Sequence, residues 1–387
     1  MKVLALGGAG AMGAAAVRTA AGLPGVREIV VADRDSAAAE DLVRTLPGAE
    51  VRAIRVDITD RAALYDALRE ADVVLNTVGP YYRFGLAVLR AAIETGTHYL
   101  DICDDWEPTM QMLEYDADAR AAGVCAIVGI GASPGVSNLL AARAARQLDH
   151  VEDVYTAWPV DVPGAGNPDD AQLTGPSGAP TAAAVHWMQQ ISGTVAVVRS
   201  GQLVQESPLR PVPLSLPGGR AGTAYTVGHP EPVTLHWTLA PAGRAANLMV
   251  VTPGTAAFLD ILRTDIDSGT LTNESAAAEL AAPSLRRGLR SMVRSRRFAA
   301  PGTLPPFFAA ASGRKDGVAL TVLAHLDGGL IDNMAEATGI PLALGLSQLI
   351  DGSVLRPGVH PPEAILDLDR FFDDLAEHSC RVVIEQS

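Results

Sequence analysis

The chain has 387 residues, 48% hydrophobic and 19% charged, with a net charge of −14. That length favours two domains over one, and the composition is that of a globular chain burying a sizeable core. The acidic balance argues against nucleic-acid binding and against attachment to anionic membranes.

The first strand, Val3–Leu6, runs into Gly8-x-Gly10-x-x-Gly13 and an alanine-rich helix beginning near Met12. Gly8 is read as permitting the tight turn, Gly10 as letting a pyrophosphate approach the backbone, and Gly13 as letting helix pack on strand. The backbone N–H groups of Ala11, Met12 and Gly13 then face the phosphates at a helix N-terminus. The next strand, Ile29–Ala32, ends in Asp33, twenty residues past Gly13. A carboxylate there accepts the adenosine ribose hydroxyls, which favours NAD. Arg34 follows and can cover the adenine or pair with a 2′-phosphate, so NADP stays open. Further strands are expected at Val51–Val56, Val73–Thr77, Tyr99–Ile102 and Val124–Val128, and helices from about Ser36, Thr59, Gly85 and Thr109, capped by Ser36 and Thr59. Asp57, after the third strand, reads equally as an acceptor for the adenine amino group and as an ordinary loop acid. Long apolar runs with little alternation predict a parallel, doubly wound Rossmann sheet.

Beyond this sheet the pattern changes. Strands are expected at Val151–Trp158, Val195–Arg199, Leu203–Glu206, Val212–Leu216, Thr223–Val227, Leu248–Thr252, Phe307–Ala311 and Leu320–Leu326, with hairpin turns at Ser200-Gly201 and Pro217-Gly218-Gly219. Helices are expected near Thr181 and after Thr255. The fold class is thus α/β, with a second, α+β domain holding a largely antiparallel sheet. The Asp161–Pro180 stretch reads as a long loop over a site or interface. The arginine run Arg286–Arg297 reads as a solvated helix face. Ile331–Ile350 and Ala364–His378 read as helices. The expected division is 1–130 for dinucleotide binding, 131–330 for substrate and dimerisation, and 331–387 for helices returning to the first domain. Cys103, Cys125 and Cys380 read as free thiols in a reducing cytoplasm. No signal peptide, transmembrane span, metal cluster or Ser/His/Asp elbow is expected.

Ligands of open α/β sheets lie outside the carboxyl ends of the strands. The fourth strand ends in Asn76-Thr77-Val78-Gly79-Pro80, where backbone can approach a nicotinamide ribose, and Tyr82 and Arg83 follow. The fifth leads to His98, Asp101, Asp104 and Asp105, and the sixth to Gly131–Asn138. His98 is read as a packing or backbone-bonding residue.

Gly7–Gly13, Asp72–Tyr81, Gly96–Asp101, Gly131–Asn138, Gly228–Leu235, Ala337–Pro341 and Arg356–Glu363 together resemble the saccharopine dehydrogenase/reductase-like family, whose relatives include lysine 6-dehydrogenase and carboxynorspermidine dehydrogenase. The resemblance implies a Rossmann domain, a central dimerisation domain giving a homodimer, and nicotinamide-dependent oxidation or reduction at a carbon–nitrogen bond. Such chemistry needs a base to free the amine lone pair. The candidates, in order, are Asp101, Asp104, then Tyr82 or His229. A substrate carboxylate needs cations, for which Arg83, Arg220 and Arg244 are candidates, with Asn138 and Glu231 as further substrate contacts. An amino acid or related amine is the expected substrate, with lysine 6-dehydrogenase-like deamination first and a saccharopine- or opine-type secondary amine as the alternative. A non-catalytic dinucleotide sensor is the rival from another class.

Overall fold

The computed structural model describes residues 1–46, 50–163, 173–174, 178–328 and 333–387. It divides into two compact units, Met1–Leu139 with Asp327–Arg381, and Leu140–Leu326 with Val382–Ser387.

The first unit begins with β1 (Lys2–Leu6), α1 (Ala11–Ala20), β2 (Glu28–Asp33), α2 (Ser36–Arg44), β3 (Glu50–Arg55), α3 (Arg61–Arg69) and β4 (Val73–Asn76). It continues with α4 (Tyr81–Thr95), β5 (His98–Asp101), α5 (Trp106–Leu113), α6 (Asp116–Ala122), β6 (Cys125–Ile127) and the start of α7 (Val136–Ala145). The strands of this unit form one parallel sheet in the order β3-β2-β1-β4-β5-β6, continued past β6 by a short C-terminal strand. β1 and β4 are fully apolar or buried along nearly their whole length, as strands covered on both faces must be. Strand order reverses between β1 and β4, so the switch point is flanked by the loops after those two strands.

The helix caps differ from those expected. Asp35 caps α2 and Asp60 caps α3, each with its carboxylate on first-turn N–H groups, where Ser36 and Thr59 had been expected. In both cases the acid one residue away wins because a carboxylate makes a stronger, charge-assisted cap. Gly96 and Gly123 close α4 and α6 in the left-handed conformation.

The second unit holds β7 (His150–Pro159), α8 (Ala182–Gln190), β8 (Val195–Arg199), β9 (Gln202–Glu206), β10 (Pro211–Leu216), β11 (Arg220–Thr226), α9 (Glu231–Thr238) and β12 (Arg244–Val250). Three helices follow, α10 (Pro253–Asp267), α11 (Asn273–Ala281) and α12 (Leu285–Arg294), and then β13 (Phe308–Lys315) and β14 (Val318–Gly328). The sheet order is β10-β11-β12-β7-β13-β14, with β8 on β12 and β9 on β8. The β10–β11, β11–β12, β12–β8, β8–β9, β7–β13 and β13–β14 ladders are antiparallel, and β7 with β12 is parallel. Ser200 and Gly201 both take positive φ at the β8–β9 hairpin, as a two-residue turn of that hand requires. One sheet face carries Leu214, Ala246, Leu248 and Phe308, and the other packs Tyr225, Met249, Met188 and Leu259.

Back in the first unit, α13 (Met334–Ile350) lies against α1, where Gly339 has no room for a side chain: a Cβ would sit 2.6 Å from the backbone of Ala16 and Met12. Then come β15 (Gly358–His360), which pairs with β6 as the seventh parallel strand, and α14 (Pro362–Ile365) and α15 (Leu368–Ala376). β16 (Cys380–Gln386) ends the chain at the free side of β14 in the mixed sheet. The first part of the helix expected from Ile331 and most of the Asp161–Pro180 stretch lie outside the described residues.

Candidate functional site

The loop after β1 is built by glycines, with roles redistributed from those expected. Gly7, rather than Gly8, takes the positive φ of +70° that turns the chain. Gly8 is needed for packing, since its Cβ would lie 2.8 Å from the Ala5 carbonyl oxygen. Gly13 is the most restricted, with a Cβ meeting Gly7 O at 2.4 Å and Thr77 Oγ1 at 2.7 Å. Gly10 caps α1 in an extended conformation without a side-chain hydrogen bond, and its Cβ would meet only Gly7 O, at 3.3 Å. The first turn of α1 contains no acid. Ala11, Met12 and Gly13 thus begin a helix whose end offers N–H groups and partial positive charge, with Gly10 leaving the approach open.

The loop after β4 is fastened to this one. Thr77 Oγ1 donates to the carbonyls of Leu6 (3.0 Å) and Gly7 (3.1 Å), and the Val78 N–H donates to Asn76 Oδ1 (3.1 Å). A Cβ on Gly79 would meet nothing within 4 Å, so backbone from Gly79 to Pro80 borders open space. Asp33 at the end of β2 accepts the Ala9 N–H (3.2 Å) and the Asp35 N–H (3.1 Å), which holds its carboxylate beside the glycine loop. Arg34 is exposed, and Arg55 pairs in register with Asp33. Asp57 is exposed and accepts Thr59 N–H (2.9 Å) and Oγ1 (2.7 Å). Those two bonds from Thr59, helped by the Arg55 and Arg34 charges, hold its carboxyl below the usual range. It is a turn-forming acid with neighbouring cations.

At the ends of β4, β5 and β6 lies a buried polar chain. Asn76 Nδ2 donates to the Tyr99 hydroxyl (3.0 Å), which donates to Asp101 Oδ2 (2.6 Å). Asp101 Oδ1 accepts the N–H groups of Gly129 (2.7 Å) and Cys103 (3.0 Å). Tyr81 donates to the Asn76 carbonyl (2.7 Å). Asp101 had been first choice as the base. The structure buries it completely and gives both oxygens to donors, so it ties three strand ends together. Burial is the main cause that pushes its carboxyl up to about 6. A raised carboxyl contributes stability below its unfolded value of about 4 and loses it as pH rises through the folded value. The amount is about 3 kcal/mol. Asp101→Asn removes this titration, so wild type should lose stability relative to the variant between about pH 4 and pH 7. Melting temperatures of the two across that range measure it, and a constant difference would contradict the assignment.

The remaining candidates separate. Tyr82 is half-exposed at the start of α4, and its N–H donates to Asp105 Oδ2 (3.0 Å). Asp105 is therefore a buried acceptor. Asp104 is partly exposed beside it. Arg83 lays its guanidinium on its neighbour Phe84, 4.8 Å from the ring centroid. Asn138 is buried, with Oδ1 accepting the Gly135 N–H (3.1 Å), which braces the loop entering α7. His98 Nδ1 accepts the Cys125 N–H (3.1 Å), tying β5 to β6.

In the second unit, Glu231 and His229 meet in a buried cluster. His229 Nδ1 is 3.6 Å from Glu231 Oε2, Asn247 Nδ2 donates to Glu231 Oε1 (2.7 Å), and Trp158 Nε1 donates to Asn247 Oδ1 (2.9 Å). The Trp158 ring stacks on His229 at 5.4 Å. Trp158 and Asn247 were missed from the sequence. They sit on β7 and β12, about 90 residues apart (|i−j| = 89), and only the parallel pairing of these strands brings them together. Arg220 and Arg244 do not join this cluster. Arg220 pairs with Glu385 (2.5 Å) and begins β11, whose far end leads to His229. Arg244 is three residues before Asn247 on β12, hence on the opposite sheet face. There it lies by Tyr155, whose hydroxyl it contacts.

A glycine loop at the switch point of a 3-2-1-4-5-6 parallel sheet, with an acid at the end of β2, defines a dinucleotide-binding Rossmann domain. Residues 3–127 match the family model of the saccharopine dehydrogenase NADP binding domain, so the resemblance read from the motifs holds over this domain. A lipid droplet localized protein of Caenorhabditis elegans is 35% identical over 132 residues, 32% of this chain and 27% of that protein. Saccharopine dehydrogenase [NADP(+), L-glutamate-forming] of Schizosaccharomyces pombe is 30% identical over 129 residues, 33% of this chain and 26% of that protein. The chain spans about a quarter or less of the length of the curated relatives it matches first. Among solved structures, saccharopine dehydrogenase (L-Glu forming) from Saccharomyces cerevisiae covers 100% of this chain and 99% of its own, with TM-score 0.68 at 16% identity. That likeness shows a shared fold. Among the described residues no helix is long and apolar enough to cross a membrane.

Proposed function

We propose that the protein is an NAD(P)-dependent oxidoreductase acting on the CH–NH group of an amino acid or related amine. The carrying observation is the α1 N-terminus with its open Gly10, locked by Thr77 to a second strand-end loop that borders open space at Gly79. The glycine cradle fits a diphosphate: a Cβ at Gly10 would stand in the approach, and the first turn of α1 carries no acid. When bound, the dinucleotide supplies the hydride acceptor or donor. The chain's own residues do the rest. Ala11, Met12 and Gly13 receive the diphosphate, Asp33 takes the adenosine ribose, and Asn76 to Pro80 border the other ribose. Asp101 positions the strand ends. Removal of the ammonium proton falls to Asp104 or Tyr82 in the first unit, and His229, oriented by Glu231, is the second unit's candidate for proton exchange. Arg83 is the first unit's candidate cation for a substrate carboxylate. Deamination of a primary amine such as lysine is the first form of the reaction, with cleavage or reductive formation of a secondary amine as the second. A cytoplasmic homodimer completes the reading.

The test is a screen of amino acids with oxidised cofactor, and of aldehydes or keto acids plus amines with reduced cofactor, following reduced-nicotinamide absorbance. Turnover with an amine supports the reading; cofactor binding with no turnover across the screen overturns it in favour of a sensor. Ammonia release against release of a second amino acid separates the two enzymatic forms.

Cofactor choice has its own test. Asp33 repels a 2′-phosphate, while Arg34 and Arg55 attract one. Asp33→Asn keeps the acceptor for Ala9 and removes the charge. It should shift the NADPH-to-NADH affinity ratio toward NADPH by about tenfold or more, measured by titration. An unchanged ratio would take Asp33 out of cofactor recognition.

A further inference from the structure

Helix α12 turns its charges inward and its apolar side chains outward, the reverse of an ordinary surface helix. Arg287 pairs with Asp265 (2.9 Å) and Glu279 (2.9 Å), Arg294 pairs with Asp260 (2.5 Å), and Ser291 Oγ donates to the Gly254 carbonyl (3.0 Å). The arginine run is thus not simply a solvated face: Arg287 and Arg294, with Arg290 more loosely on Asp265 (3.8 Å), fasten the helix to α10 and α11. The opposite face shows Leu285, Leu289, Met292 and Val293, which are 88%, 65%, 71% and 73% exposed. Their spacing of i, i+4, i+7 and i+8 puts them on one side of the helix. Arg286, Arg290, Arg296 and Arg297 are exposed around it, and no acid occurs from Leu280 to Lys315. A chain of net charge −14 therefore carries a local cationic patch around an apolar ridge.

We propose that this face docks peripherally on an anionic lipid surface. Leu285, Leu289, Met292 and Val293 enter the boundary between headgroups and acyl chains, and Arg286, Arg296 and Arg297 pair with lipid phosphates. The acidic remainder of the protein is kept off by repulsion, which limits attachment to this one helix. Charge and area both favour lipid over protein as the occupant. In a two-fold pairing of antiparallel helices, Arg286 of one copy would meet Arg296 and Arg297 of the other. Four aliphatic side chains on three turns offer far less than the roughly 800 Å² per partner that a stable protein interface buries. The ridge also has no aromatic anchor of the kind that dominates protein interfaces.

The test is sedimentation of the full chain with phosphatidylcholine vesicles, with and without phosphatidylglycerol. Wild type should pellet with the phosphatidylglycerol vesicles and be released by high salt. Arg286→Glu/Arg296→Glu/Arg297→Glu should lower partitioning about 100-fold, each surface cation being worth roughly fivefold. Leu289→Glu/Met292→Glu should abolish pelleting while leaving the melting temperature unchanged, because both side chains are in solvent. Absence of pelleting by wild type, or equal pelleting by the triple variant, overturns the proposal. So does a wild-type dimer that Leu289→Glu/Met292→Glu converts to monomer, which would assign the face to a second copy. None of these readouts depends on turnover or on cofactor binding.

Discussion

Gly10→Ala is expected to lower the affinity for NADH and NADPH about 100-fold, equal to about 2.8 kcal/mol, while leaving folding intact. The new Cβ has one close protein neighbour, Gly7 O at 3.3 Å, so the loop accommodates it with a shift of a few tenths of an ångström. What it does fill is the space through which a diphosphate reaches the helix N-terminus. Gly13→Ala provides the contrast. Its Cβ would overlap Gly7 O, Thr77 Oγ1 and Gly8 Cα at 2.4, 2.7 and 2.8 Å. Two of those atoms are backbone and cannot swing away, so α1 must part from its loop and both stability and binding fall. Titration together with thermal melts distinguishes the pair. Equal cofactor affinity in Gly10→Ala and wild type would remove the ligand from this loop.

The second large effect lies in the other unit. Asn247→Leu should lower the unfolding free energy by about 3–5 kcal/mol, because it takes a hydrogen-bond partner from three buried groups at once, each loss costing about 1–3 kcal/mol. For a unit of this size that is a fall in melting temperature on the order of 10 °C. Asn247 is completely buried and gives one amide to Thr156 Oγ1 (3.0 Å) and Glu231 Oε1 (2.7 Å) while accepting the Trp158 indole N–H. Leucine has similar volume and answers none of them. Glu231→Gln keeps an acceptor for Asn247 and loses only the charge facing His229, so it should change stability by less than about 1 kcal/mol. Urea unfolding of both variants checks this. Similar losses in both would mean that the carboxylate charge, and not the amide network, holds the cluster.

How far the sequence revealed the molecule depends on whether the signal was local. Strands of the first sheet were legible because burial on both faces writes them as unbroken apolar runs, as in Val73–Leu75. β15 was not: three residues between Pro357 and Pro361 look like a turn, and only the edge of β6 makes them a strand. The glycine loop was legible from spacing, yet spacing does not say that Gly7 takes the positive φ while Gly8 is required by packing against Ala5 and Val31. Asp101 was placed correctly at a strand end. Its complete burial and its donors from Tyr99, Cys103 and Gly129 were not legible, because they are tertiary facts. Arg244 could have been separated from the Glu231 cluster, since the odd spacing from Asn247 puts the two on opposite faces of one strand. The inward arginines of α12 could not, because their partners sit on two other helices.

The most direct measurement is isothermal titration of the purified, folded chain with NADH and with NADPH. A dinucleotide diphosphate resting on the N-terminus of α1 predicts one site per chain with a dissociation constant on the order of micromolar for at least one of them. No heat from either cofactor at millimolar concentration, with the protein shown to be folded, would contradict it.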